Sequence, residues 1–237
     1  MKKISMKDLM RKYKHSWVLL YFLVYMVWFM YLEKRPYVKH YLIYTKFDDC
    51  VPFNEYFVIP YLIWFGYIVV VMGYFFFTNA SDFYKASIFL FGGMSFCLCI
   101  YTFTPNEQLL RPEVFAHDNI FVDLVKFIYV ADSNANVCPS IHVLNSVAIF
   151  LAMFENDKIR KHKLLLTAAG VLSVSICMST VFIKQHSLVD VVCGTALAFT
   201  LYALIYKTNY SKIFATLREY RLKRQTSLTS KSSSDTI

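Results

Sequence analysis

Residues 57–77 read FVIPYLIWFGYIVVVMGYFFF, 21 positions without one Asp, Glu, Lys or Arg. A helix crossing a bilayer needs roughly 20 predominantly apolar residues, so this stretch has the length and composition of one complete span. Working outward, runs of the same kind cover residues 16–32, 84–103, 164–183 and 188–206, and a shorter one covers 141–154. The shorter run can cross only by drawing on the polar residues around Ser140 and His142. In hydrocarbon every backbone N–H and C=O must be satisfied inside the protein, which leaves helices or a closed barrel. A barrel strand alternates apolar and polar residues over roughly ten positions, and no such alternation occurs. The expected fold is therefore all-α: a polytopic membrane protein built as a six-transmembrane-helix bundle over residues 16–206. A basic segment, residues 1–15, precedes it. A basic, Ser/Thr-rich tail, residues 207–237, follows and is expected to be disordered toward its end.

Composition points the same way. The chain is 57% hydrophobic and 17% charged, with a mean hydropathy of +0.42. A soluble domain is about 45–50% apolar and about 25% charged. Six Gly and six Pro without a repeat exclude a collagen-like chain. The net charge of +9 could suit a nucleic-acid binder, but the Lys and Arg residues crowd the two ends and one short loop. Membrane topology explains that distribution better. Eighteen of the 25 lie on the side holding the N-terminal segment, Lys85, residues 155–163 and the tail, and seven lie on the other. The excess of Lys and Arg marks the cytoplasmic side, so both termini are expected there, in a protein of the cell membrane. The basic start followed by an apolar run resembles a signal peptide. No small-residue cleavage site follows, however, and the run is read as an uncleaved first span. The six cysteines form no CxxC pair and have no His at zinc-finger spacing.

Three polar clusters need an explanation, because a charge at mid-span costs roughly 2.5–3.5 kcal/mol. Arg111-Pro112 follows the third apolar run. Cys138-Pro139-Ser140-Ile141-His142-Val143 opens the fourth. There Pro leaves a helix N-terminus just after it, whose free N–H groups favour an anion, and Ser140 adds a hydroxyl. Lys184-Gln185-His186-Ser187-Leu188-Val189-Asp190 opens the sixth. His186 and Asp190 are four apart and share a helix face, so Asp190 can accept the proton of one ring nitrogen and leave the other as a nucleophile or base. Each cluster also has a plain structural reading: an outer-loop Arg that is solvated or paired with a lipid headgroup, a capped helix with an interfacial His, and a His–Asp pair that holds a loop. By the derived topology all three lie at the same, outer membrane face. Together they supply a cation, an anion cradle and two histidines, a set suited to displacement at phosphorus.

The order Arg-Pro, Pro-Ser-x-His, His-x-x-x-Asp resembles the type-2 phosphatidic acid phosphatase superfamily, over roughly residues 57–206. The resemblance implies an all-α fold with its site at one bilayer face. It implies a metal-independent, cofactor-free phosphatase acting on a lipid phosphate through a phosphohistidine. His186 would be the nucleophile, Asp190 would orient it, and His142 would be general acid and then base. Arg111 and Ser140 would bind the phosphate. Thr104 stands where the family pattern has Lys, Thr180 where it has Arg, and Ile141 where it has Gly. Lys184, two residues before His186, is expected to replace one missing cation. The pattern looks closest to the divergent branch near the inositol-phosphorylceramide and sphingomyelin synthases. A lipid phosphotransferase is the alternative within the enzyme class. A transporter or non-catalytic membrane protein is the alternative outside it, though no inverted repeats are found. A metal held by His142, His186 and Asp190 lacks further ligands nearby. The expected partner is the lipid phosphate in the membrane, with no nucleic acid, and oligomeric state is not legible.

Overall fold

The computed structural model describes residues 12–35 and 38–209. The expectations for residues 1–11 and 210–237 lie outside the described residues. Compact units comprise residues 1–205 and 206–237, and only residues 206–209 of the second are described.

The first unit is helical. A 3-10 turn, Lys14–Leu20, leads into α1 (Tyr21–Glu33); α2 is Val58–Thr78, α3 Ala80–Phe103 and α4 Ile120–Ala131. Then come α5 (Ile141–Glu155), the short α6 (Asp157–Lys161), α7 (Lys163–Phe182) and α8 (Leu188–Tyr202), the last continued by a π-helical turn, Ala203–Lys207. Five helical stretches are long and apolar enough to cross a membrane: Lys14–Glu33, Glu55–Thr78, Ala80–Phe103, Lys163–Phe182 and Leu188–Lys207. The protein is an all-α, polytopic membrane protein. The sixth expected span, α5, has 15 residues, about 22 Å at 1.5 Å per residue, against a hydrocarbon core of about 30 Å.

The position of α5 explains its composition. It packs against α2, α3, α7 and α8, and ten of its residues are buried, Asn145 and Ser146 among them. A helix enclosed by other helices does not meet lipid and can hold polar groups that an outer helix could not. The outer helices α1, α2 and α7 instead expose large apolar side chains such as Val27, Val70 and Val171.

Helix ends follow from local chemistry. Asn79 ends α2 and caps α3, its Oδ1 accepting from the amides of Ser81 (3.0 Å) and Asp82 (3.4 Å). Asn156 caps α6 and donates to Asp82 Oδ2 at 2.6 Å. Each such cap satisfies first-turn amides that have no partner inside the helix. The expected amphipathic helix at 119–130 is α4. It buries Val122, packs Val125 and Ile128 against Val58, Tyr61 and Ile183, and exposes Phe127 and Val130.

The long connections carry one feature without a sequence signature. Strands β1 (Tyr41–Leu42) and β2 (Asn106–Glu107) pair in parallel, Tyr41 opposite Asn106. Asn106 then fixes the next loop: its Oδ1 accepts from Val137 N and Cys138 N, both at 2.8 Å. That loop delivers Pro139 and Ser140 to the start of α5.

Candidate active site

Ser140 is the N-cap of α5, its Oγ accepting from Val143 N at 3.3 Å. The amides of Ile141 and His142 find no acceptor among the described residues. Ser187 is the N-cap of α8, in a capping box with Asp190. The two helix starts meet directly: Ser140 N donates to the Asp190 carbonyl at 3.2 Å. Gly194 allows this approach, since a Cβ there would lie 2.7 Å from the Ser140 carbonyl oxygen.

The meeting brings the two histidines together, with ring centroids 5.7 Å apart. His186 is buried and its Nδ1 lies 3.2 Å from Asp190 Oδ2, which also accepts from Ser187 N at 2.9 Å. Asp190 is fully buried, and its Oδ1 has no hydrogen-bond donor among the described residues. Burial and the Asp190 charge push the nearby Cys138 thiol well above its ordinary pKa, so it stays protonated. With Nδ1 turned to Asp190, Nε2 is the free nitrogen of His186. The His142 ring packs against those of Tyr61 and Trp64 in tilted contacts, at 4.6 and 4.2 Å between centroids.

Both histidines line a cavity of about 240 Å³, with Asp132, Gln185 and Asn136 at its polar end. Phe22, Met26 and Phe29 of α1 and Phe65 of α2 form its apolar wall. Those helices face lipid, so the wall suits a ligand arriving sideways from the bilayer. Among the described residues, no group of three or more His, Cys, Asp or Glu could hold a metal ion.

Residues 94–214, just over half of the chain, match the PAP2 superfamily. The chain belongs to the PAP2 superfamily. The matched stretch begins inside α3 and contains Arg111-Pro112, Pro139 to His142 and His186 to Asp190. Membership in the PAP2 superfamily supports a phosphatase-like function toward lipid phosphates. No curated protein and no solved structure matches the chain.

Of the residues that the sequence singled out in this PAP2 chain, His142, Ser140, His186 and Asp190 converge where α5 and α8 meet. Arg111 reaches the same region and gives both terminal nitrogens to protein acceptors, while its buried Nε finds none among the described residues. Its Nη1 donates to the Tyr129 carbonyl at 3.0 Å, and its Nη2 donates to the Asp132 carbonyl at 2.6 Å and to Gln185 Oε1 at 2.5 Å. The guanidinium also stacks over the Tyr129 ring at 4.2 Å. Burial lowers its pKa from the ordinary guanidinium value, which leaves it charged.

Lys184 does not come to the cavity. Its Nζ donates to the carbonyls of Asp48 (2.9 Å) and Val51 (2.5 Å), so the expectation that it binds phosphate is not met in this geometry. The cause is the turn out of α7, where Lys184 takes φ 55° and points toward the loop at 46–51. Burial lowers its pKa, while Asp48 and Asp49 oppose the shift. The hydroxyls of Thr104 and Thr180 turn back onto their own helices, donating to Ile100 O and Cys177 O.

Three supports went unread in the sequence. Asp48 is fully buried; its Oδ1 accepts from Leu188 N (2.8 Å) and its Oδ2 from Ser187 Oγ (2.7 Å) and Thr45 N (2.8 Å). Gln108, also buried, donates to the carbonyls of Lys184 (3.0 Å) and Gln185 (3.3 Å). Asp132 lines the cavity itself.

Proposed function

We propose that the protein is an integral membrane lipid-phosphate phosphatase that works through a phosphohistidine at the extracytoplasmic face. The observation that carries this reading is the His186–Asp190 pair facing His142 across a cavity walled by lipid-facing helices. His186 Nε2 attacks phosphorus, and the bond from phosphorus to the leaving oxygen breaks. His142 gives that oxygen a proton. In the second step His142 takes a proton from water, the water oxygen attacks, and the P–N bond breaks to release phosphate and restore His186. Asp190 holds the ring orientation and stabilises the positive charge that develops on it. The free amides of Ile141 and His142 and the positive end of α5 face the developing phosphoryl charge. Ser140 and Arg111 complete the cradle, Arg111 by fixing Gln185 next to His186. This reading includes α5 as a sixth span, both termini in the cytoplasm and the cell membrane as location, supported by the distribution of Lys and Arg.

Transfer of the phosphoryl headgroup to a lipid hydroxyl is the second reading. The apolar wall favours it, because a lipid acceptor can reach the phosphohistidine from the same side as the donor.

The test is acid-labile, base-stable phosphoenzyme trapped from purified protein with ³²P-labelled lipid phosphates. His186→Ala should form none. His142→Ala should slow turnover by roughly 10²–10⁴-fold, with partial rescue by a substrate whose leaving group is already acidic. Rescue of His186→Ala, but not of His142→Ala, would reverse the assigned roles.

A further inference from the structure

A second cavity lies at the far end of α5 from the histidines. His142 opens that helix and Met153 lies in its last turns, about 16 Å further along the axis at 1.5 Å per residue. The cavity has a volume of about 840 Å³, within the roughly 300–1,000 Å³ of sites that take a small ligand. Its floor is Tyr67 and Val71 of α2, Met153 of α5, Ile159 of α6 and Ala169 of α7, all buried. Its open side carries Val70 of α2 and Leu165 of α7, both exposed. These outer helices face lipid, so the groove opens toward the acyl chains of a bilayer. One edge is basic: Lys158, Lys161 and His162 line it, all three exposed, and no Asp or Glu does. Lys158 and Lys161 form no ion pair among the described residues. Arg160, in the same turn, is paired with Asp157 at 2.6 Å and lies outside the lining.

We propose that this groove is a second lipid site, separate from the histidine cavity, and that it holds one anionic phospholipid of the leaflet on the Lys- and Arg-rich side. An acyl chain fills the slot between α2 and α7, and the phosphate lies against Lys158, Lys161 and the His162 ring. Charge complementarity names the occupant, because two unpaired ammonium groups border an apolar slot that contains no acid. Basic pockets between membrane helices on the cytoplasmic side suit anionic headgroups. A chain of methylenes also suits the slot better than a peptide, since it brings no backbone N–H or C=O that the slot would leave unsatisfied. Each Lys near such a surface is worth about fivefold in affinity. The bound lipid touches α2, α5, α6 and α7 together, and a ligand that binds only the folded state stabilises it. The site is independent of the reaction at His186.

The test uses purified full-length protein in mild detergent, with dioleoylphosphatidylglycerol and dioleoylphosphatidylcholine as probes. Phosphatidylglycerol carries one negative charge and has no phosphomonoester to release. Binding is read by native mass spectrometry and by thermal melting. Phosphatidylglycerol should bind at least tenfold tighter than phosphatidylcholine and raise the melting temperature. Lys158→Gln combined with Lys161→Gln should weaken phosphatidylglycerol at least tenfold and leave phosphatidylcholine unchanged. Arg160→Gln combined with Lys163→Gln removes as many charges from the same segment outside the lining, and should cost less than threefold. Ala168→Trp fills the slot and should weaken both lipids. His186→Ala should bind phosphatidylglycerol as the unaltered protein does. Equal losses in the two double variants would show a diffuse basic surface, and loss of binding in His186→Ala would put the lipid in the histidine cavity. Displacement of the lipid by glycerol phosphate would reduce the groove to an anion site without a chain. Each of these results overturns the proposal. If Ala168→Trp or His186→Ala does not fold, the two double variants decide, since all four of their positions are exposed.

Discussion

Gly194 gives the sharpest test of how the two helix starts are held together. A Cβ at this position would lie 2.7 Å from the Ser140 carbonyl oxygen, 3.4 Å from Ser140 N and 3.3 Å from Val143 Cβ. The first contact is with backbone, which cannot rotate away. Ordinary carbon contacts sit at about 3.5–4.0 Å, so Gly194→Ala must push α8 off α5 by about 0.7 Å or more. His186 and Asp190 open α8 and His142 opens α5, so that displacement acts directly on the spacing of the two histidines. A misplacement of 1 Å can cost about 10² in rate. We therefore expect Gly194→Ala to lower kcat by roughly 10–100-fold, with a stability loss of about 1–3 kcal/mol from overpacking. Gly93→Ala is the control. Its Cβ would meet Leu144 Cδ2 at 2.8 Å, a similar clash on paper. That neighbour is the end of a flexible side chain, and it can change rotamer. Gly93→Ala should keep most of the activity. Lipid-phosphate turnover and thermal melting in detergent read both variants. Full activity in Gly194→Ala at unchanged melting temperature would refute the claim that the α5–α8 approach sets the site.

Two further substitutions separate support from chemistry. Asp48→Ala leaves the Ser187 hydroxyl and the amides of Leu188 and Thr45 without their acceptor; an unsatisfied buried group costs about 1–3 kcal/mol, so the melting temperature should fall clearly and activity should fall with it. A melting curve unchanged from the unaltered protein would show that the loop at 46–51 does not hold α8. Lys184→Met keeps the apolar stem and removes two hydrogen bonds to carbonyls; the expected loss is about 1 kcal/mol of stability, with KM for the lipid unchanged. A tenfold rise in KM at normal stability would place the ammonium on the substrate after all.

The spans were legible because their determinant is local. A run of uncharged apolar residues defines a membrane helix by itself, and the run at 57–77 differs from the helical stretch Glu55–Thr78 by one or two residues at each end. The His186–Asp190 pair was legible for the same reason: four residues on a helix is a fixed distance. Lys184 was not. Two residues from His186 in sequence, it is turned away by a left-handed residue that only the tertiary context requires. Asp48 reaches α8 across some 140 residues, and Asp132, at the end of α4, meets Tyr61 and Gln185 more than 50 residues away on either side. Such contacts leave no period or spacing to read. The 15-residue α5 carries a different lesson. Its polar residues looked like a weak span, yet Asn145 and Ser146 follow from burial against four neighbouring helices.

The two helix starts at the site share a Ser cap, but their electrostatics differ. The start of α8 already holds its anions. Leu188 N donates to Asp48, Ser187 N donates to Asp190, and both carboxylates are fully buried. A helix N-terminus carries about half a positive charge, so α8 is satisfied by the chain itself and has little attraction left for a phosphate. The start of α5 has no acidic residue in its first turn, and two of its amides are free. For the proposed reaction this asymmetry fixes the direction of attack. The phosphoryl group rests at the end of α5, and His186 approaches it from the end of α8. Asp190 then orients the attacking imidazole, and neither it nor Asp48 competes for the phosphate seat.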